Sequence, residues 1–177
     1  KEKGKYGSFR FSEKKKVMIE FSSPNTNKPL HLGHLRNIFL GESLSKIYEK
    51  TSHKVIRSCL VNDRGVHICK SMLAYQRWGN GIEPDKKSDH FVGDWYVKFA
   101  KEAKDNQTLE KEALEMLKLW EKKDKETLEL WKKMNKWVYE GFEETYKNLG
   151  IKFDKIYYES KIYDKGKDLV INGLKDG

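Results

Sequence analysis

Hydrophobic positions open a regular pattern at residue 17. Residues 17–21 (VMIEF) are apolar except for Glu20, a short run of strand formers that predicts a buried strand. Over residues 32–49, Leu35, Ile38, Phe39, Leu44, Ile47 and Tyr48 recur at helical spacing and predict an amphipathic helix. Residues 54–61 (KVIRSCLV) predict a second strand. Residues 66–78 predict a second helix, closed by Gly79 and Gly81. Strand, helix, strand, helix implies a parallel sheet with right-handed crossovers.

Beyond residue 83 the texture changes. Residues 84–89 read as a polar linker and 93–103 as a helix. Leu109, Ala113, Met116, Leu117 and Trp120 form one helical stripe. Leu128, Trp131, Asn135, Val138, Phe142, Thr145 and Leu149 form another, ended by Gly150. Residues 151–158 (IKFDKIYY) return to strand-like alternation, and 164–174 open one more helix. The expected organisation is a polar tail over 1–16, the first half of a nucleotide-binding domain over 17–83, a helical insertion over 84–150, and a return to the sheet over 151–177. The fold class is α/β: a partial Rossmann-like (HUP-type) parallel sheet with an inserted helical segment. A complete sheet of this kind has about six strands.

Composition narrows the classes. Five Trp, nine Tyr and eight Phe in 177 residues need a core and argue against disorder. No apolar stretch is long enough to cross a bilayer, and no secretory pattern opens the chain. Two cysteines, Cys59 and Cys69, are too few for a disulfide scaffold, so a reduced, cytoplasmic setting is expected. The net charge of +9 suits a polyanionic partner. Only five of the 36 basic residues are Arg, however, and lysine excess alone identifies no partner.

The densest chemistry lies between the first strand and the first helix, in SSPNTNKPLHLGH, residues 22–34. In a parallel sheet, ligands bind outside the carboxyl ends of the strands. A helix start offers unpaired N–H groups and partial positive charge, which suit phosphate. His31 and His34 share one face of that first turn, and an imidazole donates to phosphate oxygens in either charge state. Gly33 between them lets a base or phosphate approach the backbone. Pro24 and Pro29 stiffen the loop. Glu20 interrupts an apolar strand, where a carboxylate is costly unless a cation or several donors meet it. It reads either as a solvent-facing residue or as a seat for a cationic substrate.

The stretch EFSSPNTNKPLHLGHLRN resembles the signature region of arginyl-tRNA synthetases, which are class I aminoacyl-tRNA synthetases. HLGH stands where that family has its HIGH motif. VNDRGVHICKSMLAYQRWGNG and LWKKMNKWVYEGFEETYKNLGIKFDKIYYES are similar to the bacterial branch of the same family. The resemblance implies ATP-dependent activation of L-arginine, with Mg²⁺ accompanying ATP, and transfer to tRNA(Arg). It implies that Ser23 and Asn25 hold the amino acid's backbone groups and that Glu20 adds negative charge to the arginine pocket. It places His31 and His34 on the ATP phosphates, with His34 also near the arginine carboxylate. Gly33 would lie under the adenine or ribose, and Lys28 would neutralise pyrophosphate charge. A cytoplasmic monomer without a membrane role is expected. The family's tyrosine, aspartate and glutamine that complete the arginine pocket, and its KMSKS-like loop, are not in these residues. The chain is therefore expected to be a catalytic-core fragment, inactive alone.

Other residues have plainer readings. Asn62, Asp63, Arg64 and Gly65 fit a turn, or line the site from the second strand's end. His67, Cys59 and Cys69 lack the paired spacing of a zinc frame, so no metal site is expected. The tryptophan stripes read as core. Two rival functions remain: a small HxGH nucleotidyltransferase, and a non-catalytic tRNA-binding or interaction module derived from a synthetase.

Overall fold

The structure, a computed structural model, describes residues 6–7 and 13–176. The tail expected over 1–16 therefore falls largely outside the described residues. Strand β1 (Lys16–Glu20) leads through the signature loop into helix α1 (Leu32–Lys50). Strand β2 (Lys54–Val61) and helix α2 (Val66–Trp78) follow, with the bounds expected from the sequence. Three helices come next: α3 (Ser88–Asp105), α4 (Thr108–Glu121) and α5 (Lys125–Leu149). Strand β3 (Lys155–Tyr158) and helix α6 (Glu159–Asp176) complete the order. The linker of 84–89 is shorter than expected because α3 already begins at Ser88.

The strands form a parallel sheet in the order β1-β2-β3. Ile19 and Phe21 at the end of β1, and Cys59 and Val61 of β2, alternate onto one face and are buried there. Helices α1 and α5 pack on that face: Gly41 of α1 lies against the Phe21 ring, where any Cβ would collide. Arg57 of β2 clamps α1 further along, with Nε on Glu42 at 2.7 Å and Nη1 on Glu49 at 2.6 Å. The opposite face is open, and Met18 is 54% exposed.

A single buried cluster runs from Ile19 and Phe21 through Met72 and Tyr75 of α2 to Phe91, Trp137 and Phe142. Tyr75, Phe91, Trp95 and Trp137 meet edge to face, with centroids 5.4–6.3 Å apart. This is the geometry aromatic quadrupoles prefer, and it makes these rings core. The α5 stripe is rotated from the expected one: Thr127, Met134, Trp137, Gly141 and Tyr146 join Asn135, Val138 and Phe142 inside. On α1, only Ile38, Gly41 and Ser45 are buried, while Phe39, Leu44 and Ile47 of the expected stripe are exposed. Among the described residues, no helix is long and apolar enough to cross a membrane.

Asp63 joins the carboxyl ends of β2 and β3 to α5. Its carboxylate, 1% exposed, accepts from Tyr139 Oη at 2.8 Å, Ser160 Oγ at 2.7 Å and Ser160 N at 2.8 Å. The last bond caps the start of α6 with negative charge, as the helix dipole favours. Its backbone oxygen accepts from Trp131 Nε1. Arg64 pairs with Glu121 and lies over the Tyr163 ring. These residues are clasps between elements, more than a turn. Asparagine at 63 has one acceptor oxygen for these donors, so Asp63→Asn should cost about 2 kcal/mol of stability. Urea unfolding reads this directly, and an unchanged midpoint would contradict it.

Candidate functional site at the start of helix α1

The site grows from the carboxyl end of β1. Glu20 is the strand's last residue, followed by a tight reversal in which Ser22 (φ 69) and Ser23 (φ 43) are both left-handed. Ser23 Oγ donates to Glu20 Oε1 at 2.8 Å and accepts from Leu60 N at 3.1 Å. The hydroxyl assigned to substrate by the resemblance is thus turned onto the carboxylate, which it orients. The loop then runs beside β2: Asn25 bridges Asn62 in parallel, Thr26 N donates to Asn62 O, and Asn62 N donates to Pro24 O. Asn62 therefore holds the loop through its backbone. Pro29 packs against Gly93 of α3, where a Cβ would stand 2.6 Å from Pro29 Cδ.

His31 is the N-cap of α1 and His34 lies in its first turn. Gly33 N donates to His31 Nδ1 at 3.1 Å, and His31 N donates to His34 Nδ1 at 3.2 Å. This is the reciprocal logic of a capping box, with imidazoles in place of hydroxyl and carboxylate. A ring nitrogen that accepts carries no proton, so each neutral ring keeps its proton on Nε2. Both rings thus offer N–H donors away from the helix, their centroids 4.0 Å apart. Gly33 has a reason the sequence did not give: a Cβ there would sit 2.9 Å from His31 Cε1. Its absence makes room for the imidazole that caps the helix.

The first turn of α1 holds no acidic residue, so the positive end of the dipole meets no internal counter-charge. Burial, then repulsion from His31 and from Lys28, lowers the His34 pKa from 6.5 to about 4. His34 is therefore neutral at physiological pH, and Lys28 is near enough to act on it. Glu20 and Ser23 form one group and His31, His34 and Lys28 another. The tethered loop puts both on the carboxyl side of β1. No metal-ligating group of three His, Cys, Asp or Glu occurs among the described residues. Cys59 and Cys69 are buried, and desolvation first of all pushes their thiols up to about 11 and about 12. A cavity of about 410 Å³ lies between α5 and the sheet, lined by Cys59, Tyr139, Tyr146 and Tyr158 among others. It includes none of the site residues named from the sequence. Tyr146 and Asn37 were not foreseen as contacts of the loop, and Asp63, expected in a turn or lining the site, instead ties α5 and α6 to the strand ends.

Comparison with known proteins gives one consistent result. The family described as tRNA synthetases class I (R), catalytic domain, matches residues 1–177. The chain is 54% identical over 179 residues to the arginine–tRNA ligase of Borreliella burgdorferi, covering 99% of this chain and 31% of that protein. It is 52% identical over 181 residues to the one from Porphyromonas gingivalis, covering 91% of this chain and 30% of that protein. Among solved structures, the Thermus thermophilus arginyl-tRNA synthetase superposes with a TM-score of 0.72 at 26% identity, covering 90% of this chain and 26% of that one. The chain thus spans about a third of the length of the curated relatives it matches.

Two outcomes follow from the cap. A group whose pKa is depressed on folding binds its proton more readily in the unfolded chain. His34 should therefore withdraw stability as pH falls from 6.5 towards about 4 and have no effect above that window. An NMR titration should show an Nε2–H tautomer at pH 6 and a midpoint near 4; a midpoint at or above 6.5 would refute the assigned environment. Gly33→Ala should displace the His31 ring and cost about 1 kcal/mol, measured by thermal unfolding.

Proposed function

Since the chain belongs to the class I arginyl-tRNA synthetase catalytic-domain family, we propose that it forms the ATP- and arginine-binding core of an arginine–tRNA ligase. The observation that carries this reading is the imidazole-capped start of α1 on the same carboxyl side of β1 as the Glu20–Ser23 pair. In the first step the arginine carboxylate attacks the α-phosphorus of ATP, forming arginyl-adenylate and releasing pyrophosphate. The arginyl group then passes to the terminal ribose of tRNA(Arg).

The protein supplies no covalent nucleophile to this reaction. Its work is alignment and charge stabilisation. His31 and His34 donate from Nε2 to phosphate oxygens, adding to the positive end of α1. Lys28 neutralises the pyrophosphate charge. Gly33 keeps the first turn accessible to the nucleotide. Glu20, held by Ser23, seats a cationic group of arginine, and Asn25 meets the amino acid's backbone groups, as His34 meets its carboxylate. A neutral His34 suits this role, because it donates without drawing the carboxylate into an ion pair. Mg²⁺ travels with ATP on phosphate oxygens and water, which agrees with a site built of imidazole and ammonium donors. In this reading α3–α5 are an insertion in the catalytic domain, and the protein is a cytoplasmic monomer.

The test is arginine-dependent ATP–pyrophosphate exchange by the complete gene product. His31→Ala and His34→Ala should each lower kcat by about 10²-fold, while residues 1–177 alone should give no robust exchange. Exchange that ignores arginine, or is untouched by His34→Ala, would overturn the proposal. Binding of tRNA without any exchange would point to a non-catalytic RNA-binding module.

A further inference from the structure

The Ser22–Ser23 reversal is the one strained segment on which the arginine side of the site depends. Two consecutive residues with side chains occupy the left-handed region, at φ 69 and φ 43, where glycine is at home and serine is not. Such a conformation persists only when its surroundings over-determine it. Ser23 faces the site, with its hydroxyl on Glu20. Ser22 faces the interior and is 7% exposed.

Ser22 is held from two directions, by the last residue of the signature stretch and by a residue far outside it. Its N–H donates to Asn37 Oδ1 of α1 at 2.5 Å. Its hydroxyl shares a hydrogen bond with Tyr146 Oη of α5 at 2.7 Å, across 124 positions of sequence. Burial, first of all, raises the Tyr146 pKa above the ordinary phenol value, so the hydroxyl keeps its proton. The ring cannot drift, because it meets Phe153 edge-on at 5.1 Å and Phe153 packs on Phe21 at 4.8 Å. Phe21 in turn carries Gly41 of α1. The imidazole pair is secured separately, by its own capping bonds.

We infer that Tyr146 and Asn37 are positioning residues for the arginine end of the site, acting through Ser22 to keep Ser23 and Glu20 aimed at the substrate. The inference rests on the arginine-activation reading above. Losing either partner lets the Ser22 turn relax toward ordinary backbone and swings the Ser23 hydroxyl off Glu20. The nucleotide end stays in place. The signature is a split between substrates, which general destabilisation would not produce.

Exchange kinetics of the complete gene product provide the test. Tyr146→Phe, which removes one oxygen, and Asn37→Ala should each raise KM for arginine by about fivefold or more and leave KM for ATP within about twofold. Adding Ser22→Gly to Tyr146→Phe should return the arginine KM to within about twofold of the parent, because glycine holds φ near 69 without a Cβ. Unchanged arginine KM, parallel rises for both substrates, or failure of Ser22→Gly to rescue would each overturn the inference. Parent enzyme without arginine-dependent exchange would overturn the functional reading itself, and this inference with it.

Discussion

A helix cannot satisfy the N–H groups of its own first turn, and at the start of α1 that requirement falls to two histidines. Most helix starts answer it with a hydroxyl or carboxylate, and a carboxylate also cancels the positive end of the dipole. Here the acceptors are Nδ1 atoms of imidazole rings. They close the turn without adding negative charge, and each leaves an Nε2–H pointing outward. The cap therefore adds donors to an already positive helix end. Burial, and after it the positive surroundings, make a proton on His34 costly. An anion such as a phosphate would relieve the repulsive part of that cost, so the charges around the cap suit the kind of ligand its donors can bind.

That cap shares the carboxyl side of β1 with Glu20 and Ser23, and several separate contacts fix the strand and the helix relative to each other. Gly41 lets α1 close on Phe21, and the Arg57 clamp on Glu42 and Glu49 fixes the other half of the helix. The loop between them is laid along β2 by the Asn25–Asn62 bridge. One residue further, Asp63 draws α5 and the start of α6 onto the strand ends. Tyr146 lies on the same α5, so the helix placed by Asp63 also reaches Ser22. The interior polar bonds and the site thus share one framework. A disturbance at Asp63 has a short path through α5 to the Ser22 turn.

The legible part of this arrangement was the part written in neighbouring residues. β2 and α2 carry their bounds in hydrophobic runs and flanking glycines, and both imidazoles fall on one turn because they are three apart. The illegible part was written across the chain. Nothing in SSPN marks a left-handed pair, since sequence reading expects glycine or asparagine at such angles. Nothing in GFEETYKNLG reveals that Tyr146 meets Ser22. Asp63 read as a turn or site-lining residue, and not as a clasp between elements, because its donors, Tyr139 and Ser160, arrive much later in the sequence. The α1 stripe erred in the other direction. Phe39, Leu44 and Ile47 have the spacing of a buried face, yet they are exposed. Periodicity records which residues share a face; what covers that face is a tertiary fact. The chemistry of this site follows the same division. Its imidazole donors are local and could be read from spacing, whereas the strained Ser22–Ser23 turn next to Glu20 is sustained by contacts only the fold supplies.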